Sequence, residues 1–214
     1  MNARESQRTG RLRLRHLLEV TEAKGEEMAA ERPRFQRLAR EDAAPRVVSS
    51  FNLFQTPEPL ADRLAGMFDT FGRTLEPSAG LGRLYNAARS ISRSFPIVLV
   101  EHSPECCGEL YRATDGDSLS ELVQADFLAC GSDRLGLFDS ILMNPPFKMG
   151  TDCKHVLHAL TLLAPGGRLV SLCANGPKQR AKLQPIASQW IELPAGSFKA
   201  EGTGVNVAIV AIDR

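Results

Sequence analysis

The sequence predicts an α/β domain, an open and mostly parallel sheet covered by helices on both faces. Three observations lead there. From Phe51 onward, short apolar runs alternate with stretches of helical spacing. Several of those runs are apolar throughout, as strands buried on both faces are. Several also stop at an acid or a proline, which marks where a strand gives way to a loop.

The elements follow in order. Residues 1–45 are rich in Arg and Glu, and Leu12, Leu14, Leu17, Leu18 and Val20 give a partial apolar stripe. Arg4, Arg8, Arg11, Arg13 and Arg15 form a basic cluster. This segment is a solvated helical or partly disordered arm, or an arm that contacts phosphates. Residues 46–214 form the folded domain. Thr56 can cap a helix over 58–71, with Pro57 at its first position. A first strand, Thr74-Leu75-Glu76, ends at Pro77, and a helix over 84–91 follows. Strands are expected at 97–101, 122–126, 138–143, 168–173, 190–193 and 205–212, which makes seven in all. A helix over 155–163 is closed by Pro165-Gly166-Gly167.

Composition narrows the function. The 214 residues carry 43% hydrophobic and 24% charged residues, which are globular values. A net charge of +1 gives no global polycationic signature. No apolar run approaches the ~20 residues of a membrane span. Five cysteines without C-x-x-C spacing suggest neither a zinc site nor a disulfide framework, and fit idle thiols in a reducing cytoplasm.

Chemistry concentrates at strand ends. Asn144-Pro145-Pro146-Phe147 follows the fourth strand, and the two prolines stop it. Asn144 is then presented at the carboxyl end of a strand, where open α/β sheets place ligands. Its amide is both donor and acceptor, Pro145 keeps a carbonyl without a competing N–H, and Phe147 adds a flat apolar face. Together they suit a planar group that bears an –NH₂. The same residues also make an ordinary strand-ending turn. Earlier in the chain, Glu76-Pro77-Ser78-Ala79-Gly80-Leu81-Gly82 joins the first strand to its helix. Gly80 and Gly82 allow close approach of a ligand to the backbone. Tyr85 stands where a dinucleotide fingerprint wants its third glycine, which argues for a cofactor without a pyrophosphate. Glu101 ends the second strand and can accept two hydrogen bonds from a ribose diol. Asp126 ends the third, and with Phe127 it suits the amino edge and face of an adenine. His102 packs beside that adenine or lies in a surface loop.

Glu-Pro-Ser-Ala-Gly-x-Gly and Asn-Pro-Pro-Phe resemble motifs I and IV of the amino-methyltransferases that use S-adenosylmethionine. Phe54-Gln55-Thr56-Pro57 resembles motif X, and Phe198 with Gly202-Thr203-Gly204 resembles motif VIII. Their order is similar to that of gamma-type DNA N6-adenine methyltransferases of phages and prophages, over roughly residues 51–212. The resemblance implies a class I, Rossmann-like methyltransferase fold with a seven-stranded sheet. It implies S-adenosylmethionine bound by Phe54, Thr56, Glu76, Ser78, Gly80, Gly82, Glu101, His102, Asp126, Phe127 and Asn144. It implies catalysis by Asn144, Pro145, Pro146 and Phe147, with no metal, on an extruded adenine stacked by Phe147 and Phe198. Phe198 as a core residue is the alternative. Such enzymes normally carry a separate target-recognition domain, and here the segment between strands four and five is a single helix. DNA recognition would then come from the N-terminal arm, from loops, from a second copy or from an accessory subunit. Modification of ribosomal or transfer RNA is the first alternative. Modification of a glutamine in a translation factor, where Asn-Pro-Pro-Tyr is the usual form and Phe147 departs from it, is the second, and an inactive, S-adenosylmethionine-binding partner of another methyltransferase is the third.

Overall fold

The structure, a computed structural model, describes residues 55–199 and 204–214. The N-terminal arm, Phe54 and the Gly202-Thr203 turn lie outside the described residues.

Seven strands form one sheet: β1 Thr74–Pro77, β2 Ile97–Glu101, β3 Ser120–Gln124, β4 Phe138–Met143, β5 Leu163–Ala174, β6 Gln189–Glu192 and β7 Val207–Asp213. Their order is β3-β2-β1-β4-β5-β7-β6. Strands β1 to β5 are parallel, and β7 runs antiparallel between β5 and β6. Among the described residues, six α-helices accompany them, the first ahead of β1: α1 Glu58–Ala65, α2 Arg83–Ile91, α3 Pro104–Ala113, α4 Ser132–Leu135, α5 Thr151–Thr161 and α6 Pro177–Leu183. Both faces of the sheet are covered. Successive residues of one strand feed opposite cores, because side chains alternate across the sheet. Ile97 and Leu99 join the core that holds Leu64, Phe68 and Leu84, whereas Val98 and Val100 join the core that holds Val156 and Leu163. In β4, Leu142 enters the first core, and Ile141 and Met143 enter the second.

Several boundaries differ from the sequence expectation, those of β6 and β7 by one or two residues. Helix α1 stops at Ala65 rather than at residue 71, because Gly66 ends it with its N–H on the Asp62 carbonyl. The freed segment stacks Phe71 on Phe68 and Phe95, with ring centroids 4.9 and 4.5 Å apart. Strand β3 ends at Gln124, not at Asp126, whose carboxylate accepts from the Leu128 N–H and turns the chain. Helix α5 starts at Thr151 and ends at Thr161, and Pro165-Gly166-Gly167 lies within β5 rather than outside it. There the register jumps from Phe138 opposite Leu163 to Ser140 opposite Arg168, so the sequence that reads as a stop is a bulge.

The strand order reverses between β1 and β4, the two central neighbours. Connections leave these strands toward opposite sides, which opens a crevice at their carboxyl ends.

Candidate functional site

The crevice is a cavity of about 400 Å³, within the range of small-molecule sites. One wall is the turn after β1. Ser78 and Gly80 adopt left-handed backbone (φ 59° and 57°), and so does Gly82 (φ 78°) at the start of α2. A side chain at Gly82 would come within 2.9 Å of buried Leu110, so glycine is required there on two counts. Tyr85, one turn into α2, is buried. Its hydroxyl donates to Asp117 (2.7 Å), and Arg89 donates to the same oxygen (2.6 Å). The position where the dinucleotide fingerprint has its third glycine, for close packing of helix on strand, is thus occupied by a packed ring.

Glu101 ties this turn to the end of β2. One carboxylate oxygen accepts from the Gly80 N–H (2.8 Å), the other from the N–H groups of His102 (2.8 Å) and Ser103 (2.7 Å). Each oxygen has two lone-pair directions, so Glu101 holds the wall and can still receive a ligand's hydroxyl. Glu76, at the end of β1, is 2% exposed and borders the cavity. Its Oε2 has no hydrogen-bond partner among the described residues. Burial raises its pKa well above the usual carboxylate range, the Tyr85 N–H partly offsets this, and the nearby Glu101 charge adds to it. A buried carboxylate oxygen without a donor is costly, and a cationic ligand in the cavity would satisfy it.

The opposite wall comes from β4. Asn144 donates from its amide nitrogen to the Thr56 hydroxyl (3.0 Å), which fixes the plane of the amide. Thr56 therefore does not cap α1. Pro57 occupies the cap position without a side-chain bond, and the buried Thr56 hydroxyl serves Asn144 instead. Pro145, Pro146 and Phe147 border the cavity. Phe147 is half-buried and meets Phe198 edge-on at 6.1 Å. Phe198 is itself fully buried, so in this structure it backs Phe147 and presents no open face for stacking.

The far end is made by Ala125, exposed Asp126, Phe127 and exposed His102. The Phe127 ring is 2% exposed and lies against His155 and His158, with centroids 5.6 and 4.9 Å away. Its ring packs on α5 while the residue borders the cavity.

Three residues join the site that the sequence did not single out for it. Arg83, the first residue of α2, pairs with Glu58 and donates to Gln55 (3.2 Å), which fastens the segment before α1 beside the cavity. His155 lines the cavity, and its Nδ1 lies 3.3 Å from the Ser78 hydroxyl. Burial lowers the His155 pKa and His158 contributes, against the opposing charges of Asp126 and Asp152, so it is neutral at neutral pH. Cys106, at the start of α3, borders the same space. Their signal in sequence was position alone: Arg83 directly follows Gly82, and Cys106 and His155 lie early in the helices that follow two strand-ending loops.

The geometry agrees with what structural comparison finds. No protein-family profile matches the sequence, and no curated protein matches it. Solved structures do match the fold. The chain superposes on TrmN from Thermus thermophilus with a TM-score of 0.58 and 22% identity, over 73% of this chain and 48% of that one. The 23S rRNA methyltransferase ErmE gives 0.56 and 16%, over 75% and 70%. The glycopeptide N-methyltransferase MtfA gives 0.55 and 16%, over 76% and 97%. The fold is that of the class I S-adenosylmethionine-dependent methyltransferases. Within this methyltransferase fold, the turn after β1 and the acids after β2 and β3 border one cavity, and Asn-Pro-Pro-Phe forms its lip. The chain spans about half the length of TrmN.

Proposed function

We propose that the protein methylates an exocyclic amine of a nucleic-acid base, the N6 amine of adenine in DNA, with S-adenosylmethionine as donor. The observation that carries this is the Asn144 amide, held by Thr56 at the lip of an acid-lined cavity with Phe147 beside it.

The lining fits the cofactor. Glu76 offers a buried oxygen to an ammonium group, Glu101 can accept from one ribose hydroxyl, and exposed Asp126 can accept from an adenine amine. Three carboxylates favour a ligand that carries positive charge. When bound, S-adenosylmethionine supplies a methyl group on a positively charged sulfur. The chain's own residues act on the target amine. Asn144 Oδ1 and the Pro145 carbonyl accept its two hydrogens, which turns the nitrogen lone pair out of conjugation with the ring. Phe147 stacks on the ring and is steadied from behind by Phe198. Orientation and preorganised hydrogen bonds thereby provide the rate enhancement. The nitrogen then sheds one proton to water. An amine paired within a duplex is out of reach, so the base has to be extruded first.

A second substrate, a base in RNA, is favoured by structural neighbours that are named as a 23S rRNA methyltransferase and as a putative RNA methyltransferase. One assay separates the cases. Purified protein and labelled S-adenosylmethionine are incubated with duplex DNA, single-stranded DNA and RNA, and the products are digested to nucleosides. N6-methyladenine from DNA is the expected result. Label in RNA alone moves the proposal to the second substrate. Cofactor binding without transfer to any of the three would leave a cofactor-binding partner subunit in its place.

A further inference from the structure

Two residues beyond Phe147 the chain makes a corner that the mechanism above does not use. Met149 is 87% exposed, the most exposed large apolar side chain among the described residues. It also sits in left-handed backbone (φ 54°), which an L-residue other than glycine, Asn or Asp adopts at a cost. A solvent-facing thioether in a disfavoured conformation gains nothing for the free protein. The corner is nevertheless held firmly. Lys178 of α6 donates to the Met149 carbonyl (3.2 Å), Thr151 donates to the Lys148 carbonyl (2.7 Å), and the Gly150 N–H donates to the Phe147 carbonyl (3.2 Å). Gly150 is also left-handed (φ 73°), and a side chain there would collide with Lys178 at 2.4 Å. The fold therefore fixes one apolar side chain outward, beside the lip of the cavity. Two exposed cations, Lys148 and Lys178, flank it. That combination fits a polyanion with an apolar interior.

We propose that Met149 is a wedge that enters the base stack of double-stranded nucleic acid beside the base taken into the cavity, while Lys148 and Lys178 meet the adjoining phosphates. The proposal rests on the nucleic-acid reading above. Apolar wedges of this kind, methionine among them, fill a base step that has been unstacked. The wedge would offset the unstacking and unpairing that extrusion requires, and single strands require little of either.

The test compares wild type, Met149→Ala and Met149→Leu on base-paired and on melted forms of whichever nucleic acid the wild type modifies, with S-adenosylhomocysteine affinity measured alongside. Met149→Ala is expected to slow modification of the duplex by about tenfold, to leave the single strand within about twofold, and to leave cofactor affinity unchanged. Met149→Leu, which keeps apolar bulk, is expected to restore most of the duplex rate. Equal duplex rates for wild type and Met149→Ala would overturn the wedge, and so would equal losses on both forms. A wild type that modifies no nucleic acid would remove the parent reading, and the wedge with it.

Discussion

At the scale of the residue, the site depends on side chains whose orientation is already set. Asn144 is the clearest case. With its nitrogen on Thr56, the amide is oriented before any substrate arrives. Replacing Asn144 with Ala removes one acceptor from the target amine and leaves the prolines and the turn after β1 in place. A lost preorganised hydrogen-bonding group costs on the order of 10²–10³ in rate. Single-turnover methylation by Asn144→Ala should fall by that factor, with cofactor affinity within a few fold of wild type. Wild-type rates would remove the amide from the mechanism. Glu101 carries a different burden, because it holds three backbone N–H groups as well as facing the cavity. Glu101→Ala should weaken S-adenosylhomocysteine by about 1.5–3 kcal/mol in calorimetric titration, the range for hydrogen bonds to charged groups. It should also lower the melting temperature, since those N–H groups lose their acceptor. Unchanged affinity in a folded variant would reject the role of Glu101. Glu76, Glu101, Asp126 and Asn144 were legible in the sequence as cavity residues because each ends or follows a strand, whereas Arg83 and His155 were not. The aromatic residues were not. Phe127 and Phe198 act through a face, and packing against His155, His158 and Phe147 decides which face remains.

At the scale of the element, the strands were legible, and their ends were so only for the strands at the centre of the sheet. The apolar runs of β2 and β4 appear at their expected bounds, 97–101 and 138–143, because burial on both faces leaves few other solutions. Ends are decided by single side chains that reach across the structure. Asp126 leaves the sheet to cap a turn, and the glycines in β5 bulge instead of stopping the strand. Asp152 is a further instance. It is an acid in the first turn of α5, and it is fully buried. Its carboxylate accepts from the Ala174 N–H (2.9 Å) and, with both oxygens, from the Gln179 amide (3.0 and 2.9 Å). One side chain thus locks α5 to the end of β5 and to α6, the helix that supplies Lys178. Asp152→Ala would leave those donors buried and unmet, at a cost on the order of 3 kcal/mol. Urea unfolding should show that loss, and Asp152→Asn, which keeps one acceptor, should lose less. A catalytic Asp152 would instead leave stability intact and abolish turnover.

At the scale of the whole molecule, the strand order places the acids. Because β1 sits beside β2 and β4 at the reversal of the sheet, Glu76 lies under the cavity with Glu101 near enough to raise its pKa. The sequence showed three acids at three strand ends but not this inequality, since burial is a property of the assembled sheet. The inequality has a sign. Burial lifts the Glu76 pKa in the folded state above its unfolded value, so between those two values the folded chain binds more protons. The contribution of Glu76 to stability is therefore intact below the ordinary carboxylate range and is lost as pH rises through the raised value. Glu76→Gln cannot titrate. Without ligand, the variant should be the more stable protein at neutral and alkaline pH, and its advantage should shrink as pH falls toward the ordinary carboxylate range. With S-adenosylhomocysteine the ranking should move the other way, because its ammonium group compensates the wild-type carboxylate and has only a neutral amide to meet in the variant. Melting temperatures of both proteins across about pH 5 to pH 9, with and without S-adenosylhomocysteine, measure both effects. Parallel curves for the two proteins without ligand would mean that Glu76 is not strained by its burial. Equal ligand-induced shifts would mean that the cavity does not place a cation against it.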